Sequence, residues 1–457
     1  MSNKVYVAGV GMTKFIKPRD TYGYEELGLE ASAKALVDAG INYDEVQRAV
    51  AGYVYGDSTC GQRVIYQLGL TGIPVYNVNN NCSTGSTALA MGRDLIRSGL
   101  ADVILCVGFE KMERGSLGAK FTDRADPLGR LADKMFETNE ASKASVACQF
   151  FGNAAAEYIE KTNGNPDAIP MIAQVNHAHS VNNPYSQFQD VYTLEQIKNS
   201  PKVHKISTKL TCCPTSDGAA AAVLISEKYL QSHPDLQSQA IEIAAQSLHT
   251  DVHNVFDGSS VSLIGDGMTR LAVNEVYKTA NITPDDVQVV ELHDCFAANE
   301  LVVLDALGLS KPGKACELVE KGDITYGGKY VVNPSGGLIS KGHPLGATGL
   351  AQCAELCWHL RGWTTNRAVP HTRYCLQHNL GLGGAVVVTL YKRADGKEAP
   401  VNPAVKNDGR ARLGYNPAVE VRHLTREQFE AAASHKASDK FSYGGNKLVP
   451  AYTSSKL

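Results

Sequence analysis

The sequence predicts a layered α/β fold made of two similar halves. Patterns typical of amphipathic helices alternate with short apolar strands, as in sheets covered by helices on their faces. Two segments of the chain also recur in the same order further along, which indicates an internal duplication. The 457 residues include 43% hydrophobic and 20% charged ones, a composition that supports a globular protein with a large core.

The duplication rests on two pairs of segments. Residues 31–46 align with residues 272–287, and both copies are typical of an amphipathic helix that leads through an acidic turn into a strand. Residues 82–90 align with residues 343–351, with Gly, Thr, Leu and Ala at the same offsets. The second pair opens with a cysteine in one copy and a histidine in the other. A pseudo-twofold arrangement would bring these two side chains to one centre.

The pattern of elements divides the chain into four parts. Apolar runs typical of buried strands occur at 102–107, 219–225, 287–292 and 384–390. The polar stretch between the first two runs is too long for a connector, so we expect an insertion that lies over a site as a lid. We predict a first half at 1–110 plus 216–240, the insertion at 111–215, a second half at 241–393, and a linker and tail at 394–457. In the tail, Thr425 and Gln428 form a capping-box pattern that starts a short helix.

Composition argues against several classes of protein. The 44 basic and 47 acidic residues give a net charge of −3, which does not suit a broad basic surface for nucleic acid. No apolar run approaches the ~20 residues that cross a bilayer. The N-terminus lacks a secretory signal, and the 11 cysteines, an odd number, predict free thiols in a reducing compartment.

Cys82 is the first candidate for chemistry. It opens a helix rich in small residues, where we expect the positive end of the helix dipole to lower the pKa of its thiol. An inert buried cysteine is the alternative, because a thiol at a helix start needs a base to act as a nucleophile.

His343 is the candidate base. It ends the glycine-rich loop 333–342, and Pro344 suits the first position of the helix that follows.

Two further segments place polar groups next to strands. His293 and Cys295 follow the predicted strand 287–292 and share the same side-chain parity, so both are expected to face one pocket. The alternative is that Cys295 packs in the core and His293 caps the turn. The glycine-rich loop 378–385 precedes the last strand, and its backbone N–H groups could bind an oxyanion.

Two other patterns are weaker. Residues 353–359 resemble a metal-ligand set, but its two cysteines share one face of a predicted helix, and no second ligand pair lies at zinc-like spacing. Gly9 and Gly11 begin a dinucleotide-binding fingerprint, but Lys14 stands where its third glycine belongs. We therefore expect no metal and no dinucleotide.

Five motifs, in this order along the chain, resemble those of the thiolase superfamily. They are Asn81-Cys82-Ser83, Ser216-Asp217-Gly218-Ala219-Ala220, His293-Asp294-Cys295-Phe296, Gly342-His343-Pro344-Leu345-Gly346 and Asn379-Leu380-Gly381. The resemblance covers residues 3–392, and the His-Asp-Cys-Phe form is most similar to the sterol-carrier branch of the superfamily. It implies the thiolase fold, with two duplicated α/β halves in five αβαβα layers, an inserted loop domain, and a homodimer.

The resemblance also implies a role for each site residue. Cys82 would be the acylated nucleophile, and His343 would activate it. His343 and His293 together would bind the thioester oxygen in one oxyanion hole. The backbone N–H groups of Cys82 and Gly381 would form a second hole.

The chain departs from most thiolases at one position. Where they carry a second cysteine as acid and base near the C-terminus, this chain has Asn379. In the sterol-carrier branch the cysteine of the His-Asp-Cys-Phe motif takes over that duty, which implies that Cys295 is the proton donor and acceptor here. Coenzyme A would be a substrate, and no cofactor would be needed.

The implied reaction is cleavage of a 3-oxoacyl-CoA by CoA to acyl-CoA and acetyl-CoA or propionyl-CoA, including 2-methyl-branched and sterol or bile-acid side-chain substrates. The last residues, Ser455-Lys456-Leu457, match the address read by the peroxisomal import receptor, so we expect a protein of the peroxisomal matrix. The segment after residue 393 does not resemble the lipid-carrier domain of the fused relatives, so lipid transfer is not expected.

Three alternatives remain at this stage. A decarboxylating condensing enzyme also uses a Cys-His-His set, but it does not need Cys295. A retro-aldol enzyme of the same fold lacks the nucleophile that Cys82 supplies. A non-catalytic carrier of acyl-CoA or sterols would not need all the motif positions to be filled.

Overall fold

A computed structural model describes residues 4–18, 22–113, 121 and 123–436, and its main feature is one ten-stranded mixed sheet. The strands are β1 Val5–Met12, β2 Arg48–Gly52, β3 Val75–Val78, β4 Val103–Glu110, β5 Lys202–His204, β6 Ser207–Thr208, β7 Gly218–Ser226, β8 Ile241–His249, β9 Val289–Glu291, β10 Val331–Val332, β11 Cys375–Gly381 and β12 Ala385–Arg393. The helices are α1 Tyr24–Ala39, α2 Cys60–Ile65, α3 Thr84–Arg97, α4 Gly129–Thr138, α5 Val146–Thr162, α6 Ala168–Ser180, α7 Leu194–Lys198, α8 Glu227–Ser232, α9 Ser260–Leu263, α10 Asp266–Ala280, α11 Ala297–Ala306, α12 Ala315–Glu320, α13 Gly337–Lys341, α14 Thr348–Arg361, α15 Gly409–Leu413 and α16 Arg426–Ala432.

The strand order shows the predicted duplication. From edge to edge it is β10-β9-β11-β12-β8-β1-β7-β4-β2-β3, so the strands of the second half precede those of the first. From the middle of the sheet to each edge, neighbouring strands form two antiparallel pairings and then two parallel pairings. The two halves join where Tyr6 pairs with Glu242 and Val7 pairs with Ile241.

The two halves of the sheet and three sets of helices form the five layers of the predicted fold. Helices α3 and α14 contact each other and strands of both halves, so they form the central layer. Helix α1 packs on β1, β7 and β4, and α10 packs on β8 and β12, which makes them the two outer layers. Every residue of β4 and β7 is buried, which explains why these strands are continuously apolar rather than alternating.

Glycine permits the closest approach within the central layer. A Cβ atom at Gly85, in the first turn of α3, would lie 2.7 Å from the carbonyl oxygen of Gly346, which precedes α14. The equivalent starts of the two helices therefore touch backbone to backbone. This contact places Cys82 and His343, which precede the two helices, at the centre of the molecule.

The chain between β4 and β7 carries α4 to α7 and the two-stranded sheet of β5 and β6. Helices α5 and α6 pack against α11, and α6 also packs against α13. The end of this segment reaches the second half, because Cys212 forms an isolated antiparallel bridge with Phe296. The inserted segment therefore borders the residues that follow β9.

The segment from 394 to 436 differs from the predicted linker. Helices α15 and α16 both pack against α1, and the side chains of Leu413 and Tyr415 are buried. The Arg412 guanidinium donates hydrogen bonds to the carbonyl oxygens of Val37 and Asp38, at 3.0 and 2.5 Å. Apolar burial and these charged hydrogen bonds fix the segment on the first half. The capping box before α16 is present as predicted.

No helix in the described part of the chain is both long enough and apolar enough to cross a membrane. The final tripeptide, Ser455-Lys456-Leu457, lies outside the described residues.

Candidate active site

Cys82 is held in a tight turn two residues before α3. Asn81 adopts a left-handed backbone conformation with φ of 50°, which asparagine tolerates better than most residues. Its side-chain nitrogen donates a hydrogen bond to the carbonyl oxygen of Leu382 at 2.9 Å. The Asn81 Oδ1 atom is thereby turned toward the Cys82 thiol, which donates to it at 3.6 Å.

The thiol of Cys82 does not have the lowered pKa that its place at a helix start predicts. Burial raises its pKa to about 12, and the negative charge of Glu110 raises it further. The loss of hydration therefore outweighs the attraction of the helix dipole for a thiolate. The resting side chain is a neutral thiol that needs a base.

Glu110 is a buried carboxyl group at the end of β4. It accepts hydrogen bonds from the backbone N–H groups of Val54, Tyr55 and Gly346, at 3.1, 2.9 and 3.0 Å. Burial raises its pKa to about 7 despite these three donors. Glu110 thus joins the loop after β2 to the loop that carries the candidate base.

His343 presents a free acceptor atom to the site. Its backbone N–H donates to Ser216 Oγ at 3.0 Å, and its Nδ1 lies 2.7 Å from Thr348 Oγ1. The Thr348 hydroxyl donates to the Pro344 carbonyl oxygen at 3.1 Å, so it accepts from His343 and the imidazole proton is assigned to Nδ1. The buried Nε2 atom has no hydrogen-bond partner among the described residues. Burial, with a contribution from Lys341, lowers the pKa of the imidazole to about 3.

His293 carries its proton on the opposite nitrogen. Asn379 Nδ2 lies 3.1 Å from His293 Nδ1 and also 3.1 Å from the Cys82 carbonyl oxygen. The Ser86 hydroxyl donates to Asn379 Oδ1 at 2.8 Å, which assigns the amide orientation. Asn379 is therefore the donor to His293 Nδ1, and the proton of His293 is on Nε2. Burial lowers the pKa of His293 well below its usual value, and the nearby His343 and His378 lower it further.

The structure brings the two histidines and the cysteine together. The imidazole rings of His293 and His343 meet edge to face, with centroids 5.0 Å apart and planes at 80°. The Cys82 sulfur and one ring nitrogen of each histidine lie within 4.8 Å of one another. A thiol and two imidazoles thus share one centre, as the sequence repeat predicts for Cys82 and His343.

Cys295 lies beside this centre, after β9. It is 4% exposed, and burial raises the pKa of its thiol well above the usual value, with further contributions from Cys213, Cys82 and Asp294. The backbone N–H of Cys213 donates to the Cys295 carbonyl oxygen at 2.9 Å. Cys213, which stands three positions before Ser216, is not among the site residues predicted from the sequence.

Asp294 fixes the loop that carries His293 and Cys295. Its carboxylate accepts hydrogen bonds from the backbone N–H groups of Leu338 and Ile339 in α13, at 2.7 and 3.3 Å. Asn176 of α6 donates to the same carboxylate at 2.9 Å. The site therefore depends on an inserted helix as well as on both halves.

Gly381 ends β11 against the turn that holds Cys82. A Cβ atom there would lie 2.8 Å from Ser83 Oγ and still closer to the Asn80 carbonyl oxygen. Only glycine lets β11 end this close to that turn. Residues 378–381, predicted as part of a glycine-rich loop, belong to β11 instead, and their backbone lies next to the turn that holds Cys82.

The two weaker sequence patterns have structural explanations. Cys353 and Cys357 are buried on one face of α14 with sulfur atoms 4.0 Å apart, and His359 pairs with Glu355 instead. Gly9 is within β1 and packs against α1, where a Cβ atom would overlap the backbone of that helix, so the dinucleotide interpretation is wrong.

Comparison with known proteins supports the same family. Residues 5–209 match the family model "Thiolase, N-terminal domain", and residues 257–391 match "Thiolase C-terminal domain-like". Sterol carrier protein 2 of Gallus gallus is 56% identical over 394 residues, which cover 86% of this chain and 72% of that protein. The chain therefore belongs to the thiolase family, and it is an acyltransferase.

Solved structures agree on the fold. A structure titled Ltp2-ChsH2(DUF35) aldolase superposes with a TM-score of 0.72 and 20% identity, covering 86% of this chain and 98% of the other. Human mitochondrial 3-ketoacyl-CoA thiolase in complex with CoA superposes with a TM-score of 0.62 and 20% identity, covering 85% and 98%. At these identities the likeness concerns the fold alone.

Proposed function

We propose that this protein cleaves 3-oxoacyl-CoA with coenzyme A, through an acyl-enzyme on Cys82. This proposal rests on one observation, that His343 and His293 have opposite tautomers and lie beside the same thiol. His343 offers a lone pair at Nε2 to take the thiol proton, whereas His293 offers an Nε2 proton to a substrate oxygen. This arrangement supplies a base and a separate hydrogen-bond donor without any metal or bound cofactor.

The first half-reaction uses both histidines. His343 Nε2 takes the proton of the Cys82 thiol, and the sulfur attacks the 3-oxo carbon of the substrate. The new oxyanion is held by the backbone N–H groups of Cys82 and Gly381. The bond between C2 and C3 then breaks, and its electron pair forms an enolate on the thioester.

The leaving enolate needs hydrogen-bond donors and a proton. Its thioester oxygen receives hydrogen bonds from His293 Nε2–H and from His343, which now carries the former thiol proton on Nε2. The Cys295 thiol gives its proton to C2, which releases acetyl-CoA or, from a 2-methyl substrate, propionyl-CoA. The raised pKa of Cys295 keeps this thiol protonated before the step, and it makes the thiolate that forms a strong base for the next one.

The second half-reaction restores the enzyme. The Cys295 thiolate takes the proton of the coenzyme A thiol, and the resulting CoA thiolate attacks the acyl carbon on Cys82. The acyl group leaves on CoA, and His343 returns its proton to the Cys82 sulfur. Bonds and protons balance over the cycle.

The branch of the family suggests the substrates and the location. The relatives of this chain include sterol carrier protein 2, so we propose that 2-methyl-branched and sterol side-chain substrates are accepted besides straight chains. We also propose a homodimer in the peroxisomal matrix, delivered by the import receptor through Ser455-Lys456-Leu457. A fluorescent fusion with and without this tripeptide tests the location.

Activity assays test the proposed reaction. Thiolysis of a straight-chain and a 2-methyl-branched 3-oxoacyl-CoA is measured for wild type, Cys82→Ala and Cys295→Ala, with Cys148→Ala as a control outside the site. Both site variants are expected to lose activity by at least about a hundredfold, and the control is expected to keep it. The absence of thiolysis by wild type with either substrate would contradict the proposal.

A further inference from the structure

The catalytic centre also has the donor atoms of a metal site. The Cys82 sulfur and one nitrogen each of His293 and His343 lie within 4.8 Å of one another. A thiolate and two imidazoles are ligands that zinc prefers, with water in the fourth position of its tetrahedron. The adjacent donors of such a tetrahedron are about 3.4 Å apart, so modest side-chain rotations would complete it.

The contacts of His343 leave one of its ring nitrogens available to a metal ion. The imidazole is 2% exposed, and its Nε2 atom has no hydrogen-bond partner among the described residues. Thr348 Oγ1 lies 2.7 Å from Nδ1 and accepts its proton, so the lone pair on Nε2 is available for a metal ion without a change of tautomer. A metal-bound histidine commonly has its second nitrogen held by such a partner.

The surroundings of the centre also suit a bound ion. Both imidazoles are buried, so an ion between them would be shielded from most of the solvent. A divalent cation on the Cys82 sulfur would stabilise its thiolate form.

We propose that Zn²⁺ binds reversibly to Cys82 Sγ, His343 Nε2 and a ring nitrogen of His293, and that it thereby inhibits the enzyme. Binding forms a zinc–sulfur bond and releases the thiol proton to solvent, with no change of oxidation state. The bound ion occupies the nucleophile, the base and the oxyanion donor at once. This inference uses the residues of the proposed reaction but does not require that reaction to be correct.

Asn379 is expected to limit the affinity. His293 carries its proton on Nε2, so ligation there requires the proton to move to Nδ1, where Asn379 Nδ2 is 3.1 Å away and is itself a donor. In Asn379→Asp a carboxylate oxygen replaces this donor and can accept the Nδ1 proton. That change completes a carboxylate–histidine–metal arrangement.

Cobalt spectroscopy tests the site without substrate. Co²⁺ is titrated into the reduced full-length protein, and the near-ultraviolet charge-transfer absorption reports a thiolate on the metal; Zn²⁺ is then used to displace it. Wild type is expected to show the band at one equivalent, Cys82→Ser to lose it, and the half-exposed control Cys148→Ser to keep it. No band in wild type, or a band that persists in Cys82→Ser, would overturn the proposal.

A comparison of Zn²⁺ affinity between wild type and Asn379→Asp tests whether His293 is the third ligand. Calorimetric titration with Zn²⁺ is expected to show about tenfold tighter binding for Asn379→Asp than for wild type. Unchanged or weaker binding would overturn the assignment of His293. Because absorption and heat are measured without acyl-CoA, failure of this proposal is distinguishable from failure of the proposed reaction.

Discussion

The side-chain nitrogen of Asn379 lies 3.1 Å from Nδ1 of His293, and this contact determines which nitrogen of the imidazole carries the proton. The orientation of the amide is in turn set by Ser86, whose hydroxyl donates to Asn379 Oδ1. At a position where most thiolases carry a second cysteine, this chain thus has a residue that orients a neighbouring donor.

Asn379→Leu is expected to lower kcat about tenfold to a hundredfold with a smaller effect on KM. Without the amide, the proton of His293 is no longer held on Nε2, so the donor to the enolate oxygen is lost in part of the molecules. Steady-state kinetics of thiolysis checks this. An unchanged kcat would show that the tautomer of His293 does not matter.

Thr348→Val is expected to lower the rate at which Cys82 becomes acylated, by about tenfold, because His343 loses the acceptor for its Nδ1 proton. Thr364→Val is the matched control, since Thr364 Oγ1 lies 3.3 Å from Nδ1 of His359, a buried histidine outside the site. Rapid-quench measurement of acylation compares the two. Equal losses would indicate a general effect of removing a buried hydroxyl.

Glu110 is expected to make stability depend on pH. Its pKa is raised from 4.5 in the unfolded chain to about 7 in the folded protein, so the folded state binds more protons between these values. Its contribution is therefore fully present below about pH 4.5 and is lost as pH rises through about 7, with a total change of about 3 kcal/mol.

The comparison with Glu110→Gln isolates this effect, because other titrating groups are shared by both proteins. Urea unfolding is measured at several pH values from 4.5 to 8. The stability of wild type relative to the variant is expected to fall as pH increases. A difference that is constant with pH would contradict a raised pKa for Glu110.

Gly381→Ala is expected to destabilise the protein and to reduce activity strongly, because its Cβ atom would overlap the turn that holds Cys82. Gly129→Ala serves as the control, since a Cβ atom in this first turn of α4 meets only Asp126, at 3.8 Å. Thermal unfolding and thiolysis are measured for both. Full activity of Gly381→Ala would contradict the close approach.

Much of the fold and part of the site could be predicted from sequence. The repeat placed Cys82 and His343 at equivalent helix starts, and the structure brings them together because α3 and α14 share the central layer. Apolar runs predicted the buried strands of both halves. These features depend on local hydrophobic patterns and on the internal repeat, and both can be recognised in a single sequence.

The rest depends on contacts between distant segments. The lowered pKa expected for Cys82 was wrong because burial and Glu110, which lies 28 positions further along the sequence, outweigh the helix dipole. Residues 394–457 are predicted as a linker and tail, yet Arg412 and Leu413 fix part of this segment on α1. Composition indicates that a segment is polar, but not which surface it covers.

The proposed mechanism is tested most directly by locating the acyl group. Wild-type protein is mixed with a 3-oxoacyl-CoA in the absence of free coenzyme A, quenched in acid, digested and analysed by mass spectrometry. The proposed mechanism gives one acyl adduct, on Cys82, that is absent from Cys82→Ala and disappears when coenzyme A is added before the quench. An adduct on Cys295 or Cys213 instead, or release of acetyl-CoA without any adduct on Cys82, would contradict it.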